Sequence, residues 1–434
     1  MRASRLRARA LTSGVAVVAL GTAVVTAASQ GTASAARLEA RGGHATLTAG
    51  VLHAFTGQTA FFGTNAEDAC RAAARVINAN GGIMGDKLNC GIFDTKGDPA
   101  DAVPVTRRML TSASNLVMVV GPDGNDIPSV LPLIEQAKIP EMNTVGDPRY
   151  DKQTSPYFWR LTPSDSTQGP AIGWYTASSR YMKITDVFTS DLSAQTTVTP
   201  FRNKYRQMGG KLLSNVTMAP DQTSYQTEVA SLIGSHPQAM VGEMDPQTAA
   251  TFLSELQQQN GKLLPFVVTQ AATQPGWLPA VTQAVGPANV AKYITAVAPD
   301  MTGKGIAYQQ YVTNLKKVGG TSFQLGNTIV AATYDGVISF ALAMDEAHST
   351  KPQTYVKYIR AVTTAGHGVK VVNTYAEGVA ALRAGKKIDY VGAAGAMNFN
   401  KYNTSARPYA VYHYSKAAQG WVVSKVLPAT ALRP

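Results

Sequence analysis

Residues 55–99 read FTGQTAFFGTNAEDACRAAARVINANGGIMGDKLNCGIFDTKGDP. An aromatic loop punctuated by glycine, Phe55–Gly63, opens a helix in which Ala66, Cys70, Ala73 and Ile77 recur at helical spacing. Gly81 and Gly82 then turn the chain into a strand in which Leu88, Cys90 and Ile92 alternate onto one face. With the apolar run Leu47–His53 ahead of it, the stretch is a βαβ opening. Its ordered loop lies at the end of the first strand, where open α/β sheets hold their ligands. Binding of a small molecule is the first functional expectation. Catalysis would require groups that this stretch does not supply.

The same stretch holds both cysteines of the chain, Cys70 and Cys90. If the strand face bearing Cys90 meets the helix face bearing Cys70, the sulfurs come within bridging distance. Export favours a disulfide, and closing a loop of this size contributes ~3 kcal/mol. Two buried thiols are the other reading. A redox C-x-x-C motif is absent.

Working outward, residues 1–35 carry Arg2, Arg5, Arg7 and Arg9, no acid, an apolar run from Leu11 to Ala28, and Ala33-Ser34-Ala35. These are the parts of a secretory signal, followed by a spacer over 36–45. No cysteine stands near the cleavage point, so no lipid anchor is expected, and no second apolar run is long enough to span a bilayer. The protein is expected in the periplasm, or outside the cell or in its envelope. The chain carries 39 Lys and Arg against 27 acids, a formal net charge of +12. Once the leader is set aside the excess is smaller, and it is spread without basic blocks or interleaved aromatics. That argues against a nucleic-acid partner.

Roughly 400 residues beyond the leader exceed one ordinary core, so two lobes are expected. Apolar strands recur at Leu116–Gly121, Ile139–Asn143, Ile184–Thr189, Ala239–Met244, Pro265–Thr269 and Tyr293–Ala298. Helical segments lie between them, at Pro128–Ala137, Thr199–Met208, Thr227–Ser235 and Pro246–Gln259. This alternation predicts an α/β chain with two doubly wound parallel-sheet lobes. Crossings are expected at 163–170, 298–303 and 398–407. Residues 46–166 with 300–398 would form the first lobe, and 167–299 with 399–434 the second.

The order of motifs resembles the type 1 periplasmic binding proteins, within them the branched-chain amino acid and amide-binding family of ABC-transporter receptors. Beyond Phe55–Gly63, Ile77–Leu88 and Asp94–Ala102, the matching pieces are VVGP at Val119–Pro122, IP at Ile139–Pro140 and WRLTPSDSTQG at Trp159–Gly169. TYDGV at Thr333–Val337 and IDYVGAAGAMNFN at Ile388–Asn400 follow in the same order. The resemblance implies two lobes joined by three crossover strands, closing on one small ligand that is handed to a membrane ABC permease. It implies no cofactor, no metal and no chemistry. An exported sensor of the same fold, contacting a receptor instead of a permease, is the alternative.

Carried over by position, the first lobe offers Phe61, Phe62, the turn Gly124-Asn125-Asp126, and Val145 to Asp147. The second offers Asp191 to Gln195, Met244-Asp245 and Gln270. The turn before Pro128 is expected to aim free backbone N–H groups into the cleft. Hydroxyl side chains that amino-acid binders use are replaced here by Asn125 and Asp147. The family's second-lobe aromatic is Gln195 and its acidic partner for an amino group is Gln270. Asp126, Asp147, Asp191, Glu243 and Asp245 make these loops acidic, which disfavours a polyanion and favours a neutral or amine-bearing ligand.

Plainer roles compete. Asp245 before Pro246 has the form of a helix cap, Asp126 stands at a similar place, and Asp191 could begin a turn. One of Phe61 and Phe62 is expected in the core; Trp159, Trp174 and Trp277 read as packing and Tyr150 as surface structure. An enzyme is not expected. The six histidines form no H-x-x-x-H pair, and neither a G-x-S-x-G elbow nor an S-x-x-K motif occurs.

Overall fold

The computed structural model describes residues 44–57, 60–274, 276–300, 305–319 and 328–433, with Phe61 and Thr328 known by backbone alone. The expected leader, most of the spacer, and 301–303 of the second crossing lie outside these residues.

The chain begins β1 (Thr46–His53), α1 (Ala60–Ala79), β2 (Lys87–Asp94), α2 (Pro99–Ser112), β3 (Leu116–Val120), α3 (Ile127–Ala137), β4 (Glu141–Asn143) and β5 (Phe158–Arg160). These strands form one parallel five-stranded sheet in the order β2-β1-β3-β4-β5. Then come α4 (Asp165–Ser178), β6 (Lys183–Thr189), α5 (Leu192–Gln207), β7 (Lys211–Met218), α6 (Gln226–Gly234), β8 (Ala239–Glu243) and α7 (Pro246–Asn260). The run continues with β9 (Phe266–Val268), α8 (Trp277–Val285), α9 (Pro287–Tyr293) and β10 (Ile294–Pro299). After it lie α10 (Ile306–Lys317), α11 (Thr328–Ala347), α12 (Pro352–Tyr355), β11 (Lys370–Val372), α13 (Tyr375–Arg383), β12 (Ile388–Gly392) and β13 (Gly395–Ala396). The hairpin β14 (Tyr409–Ser415) and β15 (Gly420–Val426) completes a seven-stranded sheet, β15-β14-β10-β9-β8-β6-β7.

Both large sheets are covered on two faces, as alternating strand residues show. In β1, Leu47, Ala49 and Val51 join the core with α1 and α11, while Leu52 packs with Met109 of α2 and Val130 and Ile134 of α3. In β10, Ile294, Ala296 and Ala298 join one core and Val297 the other. The protein is α/β and two-lobed.

The opening stretch is fastened by its own polar side chains. Asn78, near the end of α1, donates to Leu88 O (2.9 Å) and accepts from Leu88 N (2.8 Å). Between them Gly82 has φ +71°, and a Cβ there would overlap the Asp86 carbonyl, so this glycine is a steric requirement, while Gly81 is favoured by its φ of +95°. Cys70 and Cys90 are joined in a disulfide, with Cα atoms 6.2 Å apart.

Within 163–170, Ser164 accepts from Ser166 N (3.1 Å) and starts α4 at Asp165. Two expectations change. Helix α5 begins at Leu192, seven residues before Thr199, because Asp191 caps it and Pro200 is accommodated within. The second sheet is not wholly parallel: β14 runs antiparallel to β10 and β15 to β14. Where β5 ends, Arg160 N donates to Asn403 O (2.9 Å) and Ser405 N to Arg160 O (2.8 Å), so two chain passages run side by side.

Candidate ligand-binding cleft

A cavity of about 370 Å³ lies between the C-terminal ends of the two sheets. From the first come His53 ending β1 and Phe62 beyond it, Gly124 and Asn125 after β3, and Val145 after β4. From the second come Thr189 ending β6 and Asp191 beyond it, Glu243 ending β8 with Met244 and Asp245 beyond it, and Gln270 after β9. Asp165, at the start of α4, lies against it as well.

Local bonds set these loops. Asp94, ending β2, accepts from Phe55 N (2.8 Å), Lys96 N (2.9 Å) and Thr56 Oγ1 (2.7 Å). Burial alone would raise its pKa, but these bonds outweigh it and hold the carboxyl below its usual value. In F-F-G, Gly63 N donates to Ala54 O (3.0 Å), and a Cβ on Gly63 would overlap that carbonyl. The first turn of α1 therefore lies directly on the end of β1. Trp277, nearly fully buried, donates from Nε1 to Met244 O (3.1 Å) and braces the wall from behind. Its expected packing role and its place beside the pocket are the same role.

The turn before α3 differs from expectation. Asp123 Oδ1 accepts from Asn125 N (3.0 Å) and Asp126 N (3.2 Å), and Ile127 N donates to Asp123 O (3.1 Å). The backbone donors expected to face a ligand carboxylate are already occupied by the protein's own carboxylate. Burial raises Asp123 against those two bonds. Burial, then the Asp123 charge, pushes Asp126 up to about 7.

The cavity wall is acidic. Burial raises Asp165 to about 6 despite Thr196 donating to its Oδ2 (2.6 Å). Burial also holds Glu243 well above the usual range, against a bond from Thr269 (2.6 Å) and with Asp165 and Asp191 adding repulsion. Asp221, facing the cavity beside Asp245, is raised by burial and then by that neighbour. On the other side, Lys96 pairs with Asp101 at 3.3 Å, and burial lowers His53 to about 4, leaving it neutral near pH 7.

Of the residues singled out from sequence, Phe62, Gly124, Asn125, Val145, Asp191, Met244, Asp245 and Gln270 line the cavity. Asp126 sits fully buried behind it. Asp147 turns away to cap residues 148–150 and to pair with Arg149 at 2.6 Å. Gln195 donates back to Thr189 O (2.7 Å). Tyr150 stacks on Phe158, and the side chain of Phe61 lies outside the described residues. His53, Asp165 and Asp221 were missed. Asp165 stood inside the quoted P-S-D-S-T-Q motif, and the signal for it was Gly146: a Cβ there would overlap the Asp165 carboxylate. Among the described residues no group of three or more His, Cys, Asp or Glu could hold a metal ion, and no helix is long and apolar enough to cross a membrane.

Two α/β lobes with a cavity between their strand ends fit the class of small-molecule binding proteins. A profile of the periplasmic binding protein family matches residues 46–419, and the chain belongs to that family. The leucine-binding protein LivK of Thermotoga maritima shares the fold at a TM-score of 0.72 and 15% identity, covering 89% of this chain and 100% of that one. The branched-chain amino acid transporter substrate-binding protein LivJ of Streptococcus pneumoniae, solved with isoleucine, gives 0.70 at 18%, covering 88% and 99%. A solute-binding protein of R. palustris, solved with benzoate, gives 0.71 at 14%, covering 88% and 96%. In sequence, the Leu/Ile/Val-binding protein BraC3 of Rhizobium johnstonii is 30% identical over 79 residues, 18% of this chain; the match spans about a fifth of that relative (21%).

Proposed function

We propose that this protein is an exported solute receptor that captures a small, amine-bearing polar ligand between its lobes and delivers it to an ABC permease. The observation that carries the ligand class is the charge of the wall. Asp165, Asp191, Asp221, Glu243 and Asp245 face one cavity, while the nearby Lys96 is paired with Asp101. Carboxylates crowded in a partly desolvated space repel one another, and a cation among them relieves that repulsion. A ligand anion would meet the same charges uncompensated, and the turn before α3 has its N–H groups already engaged by Asp123. The isoleucine and benzoate bound in two of the similar structures carry carboxylates; Gln270 and this acidic wall support a different preference here. A ligand touching both lobes favours closure, the movement a permease would read. The leader-like segment supports export.

The test is a thermal-shift screen of protein refolded to remove carried-over ligand, against amines, amino acids, amides and aromatic acids. Amines should raise the melting temperature by several degrees, in line with occupancy. A shift only with carboxylic acids would overturn the ligand class.

A further inference from the structure

Beside the main cavity is a niche of about 20 Å³, lined from the first lobe by His53, Phe62, Asn143 and Thr144 and from the second by Gln274. Gln274 follows the short helical turn after β9 and is 2% exposed, yet neither Oε1 nor Nε2 has a hydrogen-bond partner. His53 Nδ1, on the opposing wall, is likewise buried without a partner. A buried amide with both polar atoms unsatisfied carries a desolvation cost that native structures do not keep without compensation. The niche exceeds the roughly 10–15 Å³ needed for one water-sized atom and is far too small for a ring or a branched chain.

We propose that this niche is a specificity subsite for a hydroxyl group of the ligand, held between Gln274 and His53 and filled only when the lobes are closed. A hydroxyl is the smallest group that both donates and accepts, and Gln274 presents an acceptor and a donor side by side. The neutral ring of His53 supplies a third bond, donated to the hydroxyl oxygen, in the tautomer that carries its proton on Nδ1. Because the two residues come from opposite lobes, one hydroxyl ties the lobes together, which a ligand confined to the main cavity does not do at this point. The inference rests on the proposed amine-binding reading and narrows the ligand to an amino alcohol.

The test is calorimetric titration with matched compounds of equal length ending in hydroxyl or methyl, built on amine, neutral and carboxylate scaffolds. Wild type should prefer the hydroxyl member by about tenfold or more, since a site built for a hydroxyl penalises its absence. In Gln274→Leu, or in Gln274→Met should the first fail to fold, the two members should bind within about twofold. Equal affinity in wild type, or a preference that survives the substitution, overturns the subsite. Loss of the amine scaffold's advantage while the hydroxyl preference persists overturns the charge reading alone. Failure of every scaffold to bind overturns both.

Discussion

Two helix starts in this molecule look alike in sequence and behave differently. Asp245 stands directly before Pro246, and its Oδ1 accepts from Gln247 N and Thr248 N, both at 2.9 Å. Asp126 stands two residues before Pro128 and makes no cap bond; Asp123, three residues earlier, serves the turn. In the second lobe the capping acid is also a cavity acid. In the first, Asp94, Asp123 and Asp147 accept hydrogen bonds from their own backbone, and of the three Asp123 lines the cavity. The lobes repeat one architecture, but one supplies a shaped, largely self-satisfied wall and the other supplies charge.

The sharpest difference in stability between them is covalent. The disulfide Cys70–Cys90 lies in the first lobe, and the chain has no other cysteine. Reduction should cost about 3 kcal/mol in that lobe, by releasing a closed loop in its unfolded state. Hydrogen exchange should then speed up in β1, β2 and α1 while β6, β8 and α7 keep their protection. An unchanged melting temperature on reduction would remove the staple from the comparison.

The next effect is a pH dependence. Asp126 is raised to about 7 by burial and the neighbouring Asp123, whereas in an unfolded chain it titrates near the ordinary 3.8. Between those values the unfolded state loses its proton and the folded state keeps it, so stability falls as pH rises. Asp126→Asn should therefore be nearly neutral at pH 4 and stabilising by a few kcal/mol at pH 8. Urea melts at the two pH values check it. A loss of stability at pH 8 would show that the carboxylate is needed there.

Much of this was readable in the sequence, for identifiable reasons. Strand and helix periodicity, the glycines at 81–82 and the Asp–Pro cap at 245–246 are local signals, and the structure keeps them. What escaped depended on which of several nearby partners each side chain takes. That Asp123 satisfies the turn before α3, that Asp147 turns to Arg149, and that Gln195 folds back on Thr189 are choices among neighbours of equal chemical plausibility. The early start of α5 was hidden by Pro200, which normally marks a helix beginning. Asp165 became visible only once Gly146, nineteen positions away in sequence, was seen to have no room for a side chain.

The smallest effect separates the two duties of Asp245. Asparagine caps a helix about as well as aspartate, whereas alanine does not. Asp245→Ala should thus cost about 1 kcal/mol, read from urea melts, while Asp245→Asn should cost nothing measurable and could gain from relieving the repulsion with Asp221. Both should weaken an amine ligand, since both remove the charge. Asp126→Ala, by contrast, has no cap to lose. If Asp245→Asn were as destabilising as Asp245→Ala, its charge and not its hydrogen bonds would be holding α7. The two helix starts would then differ in electrostatics, not in capping.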